Sequence, residues 1–552
     1  MTGVGWLLRA VTALALTAAL QAQGAQTVAA PKMRAPQGDA ITAGKLRADL
    51  TFLAGDGMRG RLVESPENVL AHEWVRSRFE SLGLAPAGPG GSWYLPVPLL
   101  RTSMGGNNEL TVERAGVRTG YATGDDFHAR AFSATAHASG ALVFAGFGIV
   151  APALKRDELA GDIRGKVVLL LDHEPGENDP ASPFDGVVTS EFANQARRAL
   201  DAQERGAVGV LFVADVLNHP EPEDFGAVTR AYWPARPARL ERYQLASAVQ
   251  AIQIPVGQVS VSLVRQLLRG SGRTLEALAQ SAERGTTPFM IAGVSVTLTT
   301  NIVRRTVTLR NVAARLDGRD PALKDEFVVI AAHVDHNGSD GDQVWNGADD
   351  DGSGTVALLA VAEAYSRAAA GGERPRRSVL FLSLNAEERG PLLGAWAYAE
   401  APAVPLASTV AVLNMDMVGR SEEVPEGGGP RFRGLAVQSA ESNRRVVNLL
   451  GWSRSASLDG VIERASVGTG LTLKRAYDNN VSQLLRRTDM WPFLQRGVPS
   501  VTFFTGLHPD YHTMYDRPEK IEYEKLERIA RLVHQVSWDL AQSSTRPALN
   551  IH

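Results

Sequence analysis

Apolar residues along the chain fall into three textures, and each predicts its own elements. Leu46, Leu50 and Leu53 recur at helical spacing, then Leu70, Trp74, Val75, Phe79 and Leu82 repeat it until Gly83. These stretches predict two amphipathic helices from Ile41 onward. Between Ser139 and Gly285 the texture shifts to short apolar runs with glycines. Ala141–Ile149, Gly165–Leu171 and Val208–Ala214 predict strands, and Phe192–Arg205 predicts a helix among them. Val294, Val296 and Leu298 then alternate with polar residues, which predicts a strand returning the chain to a main sheet. The third texture is the continuous apolar run, too short for a helix: Phe327–Ala332, Ser378–Leu384, Ala411–Leu413 and Val498–Phe504. These predict buried strands. The first of them ends at His333, crosses an acidic glycine-rich loop and enters a helix. Ser353 and the acids before it give the start signal, Val356, Leu359 and Val361 the apolar face, and Gly371-Gly372 the stop. One imidazole and several carboxylates thus meet where a strand hands over to a helix, the usual place for a site in an α/β sheet.

With 552 residues the chain exceeds one core, so two or three domains are expected. Its 57 basic and 60 acidic residues leave a net charge of −3 without a basic stripe, which argues against a nucleic-acid partner. There is no cysteine, so disulfides, thiolate metal sites and a lipid-anchored leader are excluded, leaving His and carboxylate as metal ligands. At the N-terminus, Arg9 precedes an apolar run from Ala10 to Leu20, and Ala22-Gln23-Gly24 supplies small residues at a cleavage spacing. Residues 1–24 therefore read as a signal peptide, and the protein as exported, periplasmic or extracellular, without an integral membrane span in the mature chain.

Three motif matches dissolve on inspection. Gly55–Gly60 fits G-x-G-x-x-G but follows a helix, so a turn is expected there rather than a dinucleotide site. His72-Glu73 starts an H-E pair, yet the fourth position is Arg76. Asp349, Asp351, Ser353 and Gly354 fit half of a calcium loop, but its closing Glu would fall on Ala360. What survives is a distributed set: His333, the acids 349–351, Glu387-Glu388, Asp416, and His508 and His512 after the last strand. Singly, each could be a helix cap, a surface acid or a core histidine. Jointly they supply histidines and several carboxylates at strand ends, the donor set of a hydrolytic metal pair.

The order H-x-D, D-D-G-S-G, E-E, a further Asp past a strand and a closing Y-H resembles the co-catalytic dizinc aminopeptidase family. That family also holds glutamate carboxypeptidases, glutaminyl cyclases and non-catalytic transferrin receptors. The resemblance implies an α/β zinc-exopeptidase fold, a mixed central sheet flanked by helices. Residues 139–285 resemble a protease-associated domain, a β-rich insert, dividing the peptidase domain into 38–138 and 286–552. Carried over by motif, His333 and Asp416 hold one Zn2+, Glu388 and His512 the other, and Asp350 bridges them. Glu387 matches the general base that works on a water shared by the two ions, Tyr511 an oxyanion donor, and Asp335 an acid fixing the His333 imidazole. His336 and His508 fall outside the motif positions. Asp489 lies in a segment similar to one the family places near the site, without an assigned role. The implied substrates are peptides with a free N-terminus. Arg486, Arg487 and Arg496 keep a carboxypeptidase-like variant open, and a receptor-like binding protein is the alternative from another class.

Overall fold

The structure, a computed structural model, describes residues 34–219 and 224–550; the expected signal segment 1–24 lies outside them. The described residues from Pro36 onward form one compact unit. Two helices open it. Thr42 caps α1 (Ala43–Leu53) at the Lys45 amide, and Ser65 caps α2 (Pro66–Ser81) at the Asn68 amide. Pro66 sits in the first turn, where a missing N–H leaves nothing unsatisfied. Leu46, Leu50 and Leu53 are buried as their spacing predicts. In α2 the buried face is Ala71, His72, Val75 and Phe79, while Leu70 stays exposed. Leu70 lies about 100° round the helix from Ala71, just off the stripe. The glycine-rich stretch after α1 is a 3-10 turn, Asp56–Arg61. Gly60 takes φ +66°, and a Cβ there would collide with the backbone of Trp345 and Gly338. These glycines bring two loops together.

The main sheet is built from β1 (Tyr94–Met104), β2 (Ile302–Leu316), β3 (Phe327–His333), β4 (Ser378–Leu384), β5 (Thr409–Met415), β6 (Val446–Leu450), β7 (Thr472–Lys474) and β8 (Ser500–Phe504). Its order is β1-β2-β4-β3-β5-β8-β6-β7, with Tyr243–Leu245 on the β1 edge and Ala85–Pro86 on β2. The central four, β4-β3-β5-β8, are parallel; β2 joins β4 and β6 joins β8 antiparallel. Every residue of β3, β4, β5 and β8 is buried, as continuous apolar runs in a sheet covered on both faces require. One face packs α2, α3 (Gly354–Ala370) and α6 (Tyr523–Gln542), with Phe381 of β4 against Phe79 and Tyr365. The other packs α4 (Leu393–Glu400) and α5 (Trp491–Gln495), whose Tyr398 and Phe493 join Val329, Ala331, Leu380 and Leu382. The sheet is mixed and flanked by helices, as expected.

A second, eight-stranded sheet lies between β1 and β2 in the chain. Its strands run from Glu109–Arg114 to Phe289–Thr300, so it reaches past 139–285 on both sides. Two local expectations are corrected. Val294, Val296 and Leu298 do not rejoin the main sheet; their strand pairs with Glu109–Arg114 and Ala136–Phe144, and the return is made by β2. Alternation fixes which side chains point inward, not which sheet a strand joins. The strand expected over Ala141–Ile149 spans Ala136–Phe144, because Gly146 and Gly148 turn left-handed and end it. The predicted helix over Phe192–Arg205 is a short 3-10 turn followed by a helix over Gln195–Glu204.

Candidate functional site

The four parallel strands end on one side, and each delivers chemistry there. His333 closes β3, and Glu387-Glu388 follow β4 after Asn385-Ala386. Asp416 follows β5, and His508, Tyr511 and His512 lie beyond β8. Three of these turns pass through left-handed backbone at non-glycine residues: Ala386 (φ 58°), Met417 (φ 52°) and His512 itself (φ 58°). Such conformations cost roughly 1–3 kcal/mol each, and they aim the adjoining carboxylates and imidazole inward.

The acidic loop sends three consecutive carboxylates three ways. Asp349 accepts the Gly419 amide (2.6 Å) and faces His508 Nε2 at 3.2 Å. Asp351 accepts the backbone amides of His333 (3.2 Å), Gly354 (2.9 Å) and Met417 (3.1 Å), tying the ends of β3 and β5 to the start of α3. Asp350 alone turns into the site, its Oδ1 3.5 Å from His333 Nε2 and its Oδ2 3.0 Å from His512 Nε2. Round it stand Asp416, 3.9 Å from His333 Nε2, and Glu388, whose Oε2 is 3.2 Å from His512 Nε2 and whose Oε1 is 2.8 Å from His336 Nδ1. Glu387 Oε2 lies 4.0 Å from His333 Nε2.

These donors fit cations. His333 Nε2, both nitrogens of His336 and Asp350 Oδ2 are buried and make no hydrogen bond. His333, Asp351 and Asp416, and separately His336, Asp350 and Glu388, each place donor atoms within 4.8 Å of one another. Because the oxygens of Asp351 are already taken by backbone amides, Asp350 is the carboxylate free to be shared. A further trio in the second-sheet region, His173, Glu177 and His219, is partly exposed and lies outside this site.

Burial opposes a charged Glu387, and although the His333 imidazole favours that charge, the negative fields of Glu388, Asp489 and Asp416 add to burial, so its pKa lies well above the usual carboxylate range. Burial also opposes the charged form of Glu388, but His512 and His336 outweigh it and hold Glu388 well below that range. Asp350 is likewise depressed, to about 2, by His333 and His512 against burial and the Glu388 charge. Burial, with Asp350 and Glu388, raises the Tyr511 hydroxyl well above its usual value despite Arg487, so it remains a proton donor. That hydroxyl accepts a hydrogen bond from Arg487 (3.1 Å), and its ring stacks on His512.

The structure brings together all five expected ligands, Glu387 and Tyr511. Asp335 takes a different contact from the one expected. Its carboxylate accepts the amides of Glu387 (3.2 Å) and Glu388 (3.3 Å), while His333 Nδ1 lies nearer the Asp335 backbone oxygen (3.3 Å) than its carboxylate (3.8 Å). It therefore sets the Glu387-Glu388 turn rather than bonding the imidazole, because the end of β4 sits beside the end of β3. Asp489 is buried without a hydrogen-bond partner, and burial with the charges of Asp416 and Asp335 raises it to about 8. Two supports were not foreseen. Asp516 accepts the Asp349 and Asp350 amides. Arg61, fully buried, donates to the carbonyls of Val334 (2.7 Å), Asn346 (2.8 Å), Gly347 (2.9 Å) and Leu53 (2.9 Å). The glycine-rich turn just before Arg61 is the one sequence signal for it. A cavity of about 30 Å³ adjoins the site, lined by Asp350, Glu387 and Asp416 together with Leu450, Leu484, Phe504 and Leu507.

Residues 311–537 match peptidase family M28. This part of the chain is an M28 peptidase domain. Curated relatives of this chain include "Probable glutamate carboxypeptidase AMP1" of Arabidopsis thaliana, 32% identical over 216 residues, covering 38% of this chain and 26% of that protein. A "Probable glutamate carboxypeptidase" of Arthroderma benhamiae is 26% identical over 440 residues, covering 70% and 53%. The chain thus spans about a quarter to a half of these relatives' lengths. Among solved structures, an aminopeptidase from Aneurinibacillus sp. strain AM-1 aligns at 17% identity with a TM-score of 0.47, covering 93% of this chain and 98% of that one.

Proposed function

We propose that the M28 domain is a dizinc aminopeptidase that removes N-terminal residues from peptides. The observation that carries this is Asp350, a buried carboxylate whose two oxygens face two different imidazoles. His333 and Asp416 would hold one Zn2+, Glu388 and His512 the other, with Asp350 shared. When bound, such a pair polarises the scissile carbonyl and acidifies a water. The chain's own groups do the rest. Glu387, whose environment raises its affinity for a proton, takes one from the attacking water and passes it to the leaving amine. Tyr511, kept protonated, donates a hydrogen bond to the carbonyl oxygen as negative charge grows on it. Leu450, Leu484, Phe504 and Leu507 give the cavity an apolar wall suited to an apolar first side chain.

A second reading has one specific support. Arg486 points toward Glu191 (3.9 Å), but Arg487 lines the cavity and holds Tyr511, where it could pair with a substrate carboxylate. That would suit a carboxypeptidase-like exopeptidase. Amino-acid arylamides and N-blocked dipeptides, assayed side by side, separate the two. Hydrolysis of free-amine arylamides alone is the expected result, and cleavage of blocked dipeptides alone would replace the first reading with the second. Export, through cleavage near Gly24, remains part of the proposal; N-terminal sequencing of the secreted protein tests it. Among the described residues no helix is long and apolar enough to cross a membrane.

A further inference from the structure

Resting on the two-cation reading, we propose that His336 is a direct ligand through Nδ1 of the cation held by Glu388 and His512. That position then has four protein donors, His336, Asp350, Glu388 and His512. The position at His333 has three, with Asp350 and Asp416, and stays open toward Glu387 and the cavity. The motif positions supply only His512 as the imidazole of the second cation, so His336, in the His333–His336 H-x-D-H stretch, is an additional donor.

The geometry carries the assignment. The His336 side chain is 0% exposed, and its Nδ1 lies 2.8 Å from Glu388 Oε1 and 3.8 Å from Asp350 Oδ2. His512 Nε2 closes the ring of donors at 3.0 Å from Asp350 Oδ2 and 3.2 Å from Glu388 Oε2. Four donors bound tetrahedrally at about 2.0–2.1 Å sit about 3.3 Å apart, in the middle of these separations. The close approach to Glu388 is not a hydrogen bond: neither nitrogen of His336 has an aligned partner, so Nδ1 aims between the carboxylates rather than at one oxygen. The ring is also seated. Gly347 lacks the Cβ that would strike its Cγ and Cδ2, and the Gly347 carbonyl is held by buried Arg61. On the open side the ring meets His512 edge-on, centroids 5.8 Å apart. The consequence is an asymmetric pair. Closed, four-donor sites hold zinc as structure, and sites with an open position do chemistry.

Full-length protein is loaded with zinc and dialysed against graded chelator, and zinc per chain is measured for wild type, His336→Asn and His336→Cys. Wild type is expected to lose its two ions in separate steps. In His336→Asn, which keeps a polar side chain but removes the imidazole, the tighter step is expected to move at least 100-fold toward weaker binding. That exceeds the 10–100-fold typical of lost outer contacts. Because the chain has no cysteine, cobalt-loaded His336→Cys has a single possible source of a thiolate-to-cobalt absorption band in the near ultraviolet. Its appearance shows coordination from this position even if the Asn variant folds poorly. Unchanged chelator steps in His336→Asn, or a fully loaded Cys variant without the band, overturns the assignment and leaves the two-cation reading intact. Wild type that takes up fewer than two ions overturns that reading and the assignment with it.

Discussion

At the residue scale, adjacent Glu387 and Glu388 separate by what faces them. Glu388 puts both oxygens against imidazoles and is held ionised by them, as a ligand must be. Glu387 has one imidazole, His333, at 4.0 Å and otherwise faces carboxylates and the cavity, and burial with those carboxylates raises its proton affinity. Glu387→Gln therefore keeps the shape and both zinc ions while turnover falls by about 10²–10⁴-fold with little change in substrate binding. Glu388→Gln instead weakens the second cation, and added zinc partly restores activity. Zinc content and turnover of both variants, measured with zinc in excess, check the division. Loss of zinc in Glu387→Gln with full zinc in an inactive Glu388→Gln would exchange the roles.

At the element scale, two helices on one face of the sheet each bury an uncharged histidine. His72 in α2 donates to the Asn68 carbonyl (2.8 Å), and His534 in α6 donates to the Pro36 carbonyl (2.8 Å). Burial lowers both to about 4. The unfolded chain, with an ordinary histidine value near 6.5, takes up protons first as the pH falls. Stability is therefore intact above about pH 6.5 and is lost progressively down to about pH 4, by roughly 3 kcal/mol for each histidine. His534→Gln retains a donor for Pro36 and removes the titration. Urea melts at pH 7 and pH 4.5 should show a smaller acid loss for it than for wild type, and an equal loss would show that His534 is not buried neutral.

At the scale of the whole molecule, the long excursion between β1 and β2 returns to the cleft. Asp185 pairs with Arg454 (2.7 Å), and the Val187 and Thr189 amides donate to Asn479 (2.9 Å) and Gln483 (2.8 Å). Trp491 donates to Glu191 (2.8 Å). These contacts brace Asn479–Trp491, the stretch that carries Arg487 and Asp489. We expect Asn479→Ala with Gln483→Ala to raise the KM for tripeptides several-fold, with zinc content unchanged and turnover of a small arylamide within about two-fold. Steady-state kinetics on both substrates is the check. Equal losses on both would mean that the excursion supports the fold of the peptidase domain as a whole.

What the sequence determined by itself was local. Apolar runs bounded by turn residues specified the four buried strands, since strands covered on both faces need continuous apolar sequence. Ser353, Gly371 and the acids between strand and helix placed α3 to within a residue or two, because caps are short-range chemistry. The order of His333, Asp350, Glu387-Glu388, Asp416 and Tyr511-His512 could be read because each follows a recognisable strand or helix signal. What the tertiary structure decided was who meets whom. Nothing in the spacing of Asp349, Asp350 and Asp351 tells which carboxylate turns inward; the amides of His333, Gly354, Met417 and Gly419 choose it by claiming the other two. Asp335 found the Glu387-Glu388 turn because β3 and β4 are neighbours, a pairing set across about fifty residues of chain. The strand at Phe289–Thr300 joined the second sheet rather than the first because alternation specifies a face and leaves the partner to long-range packing. Arg61 and His336, buried among groups far from them in sequence, take their meaning from those neighbours alone.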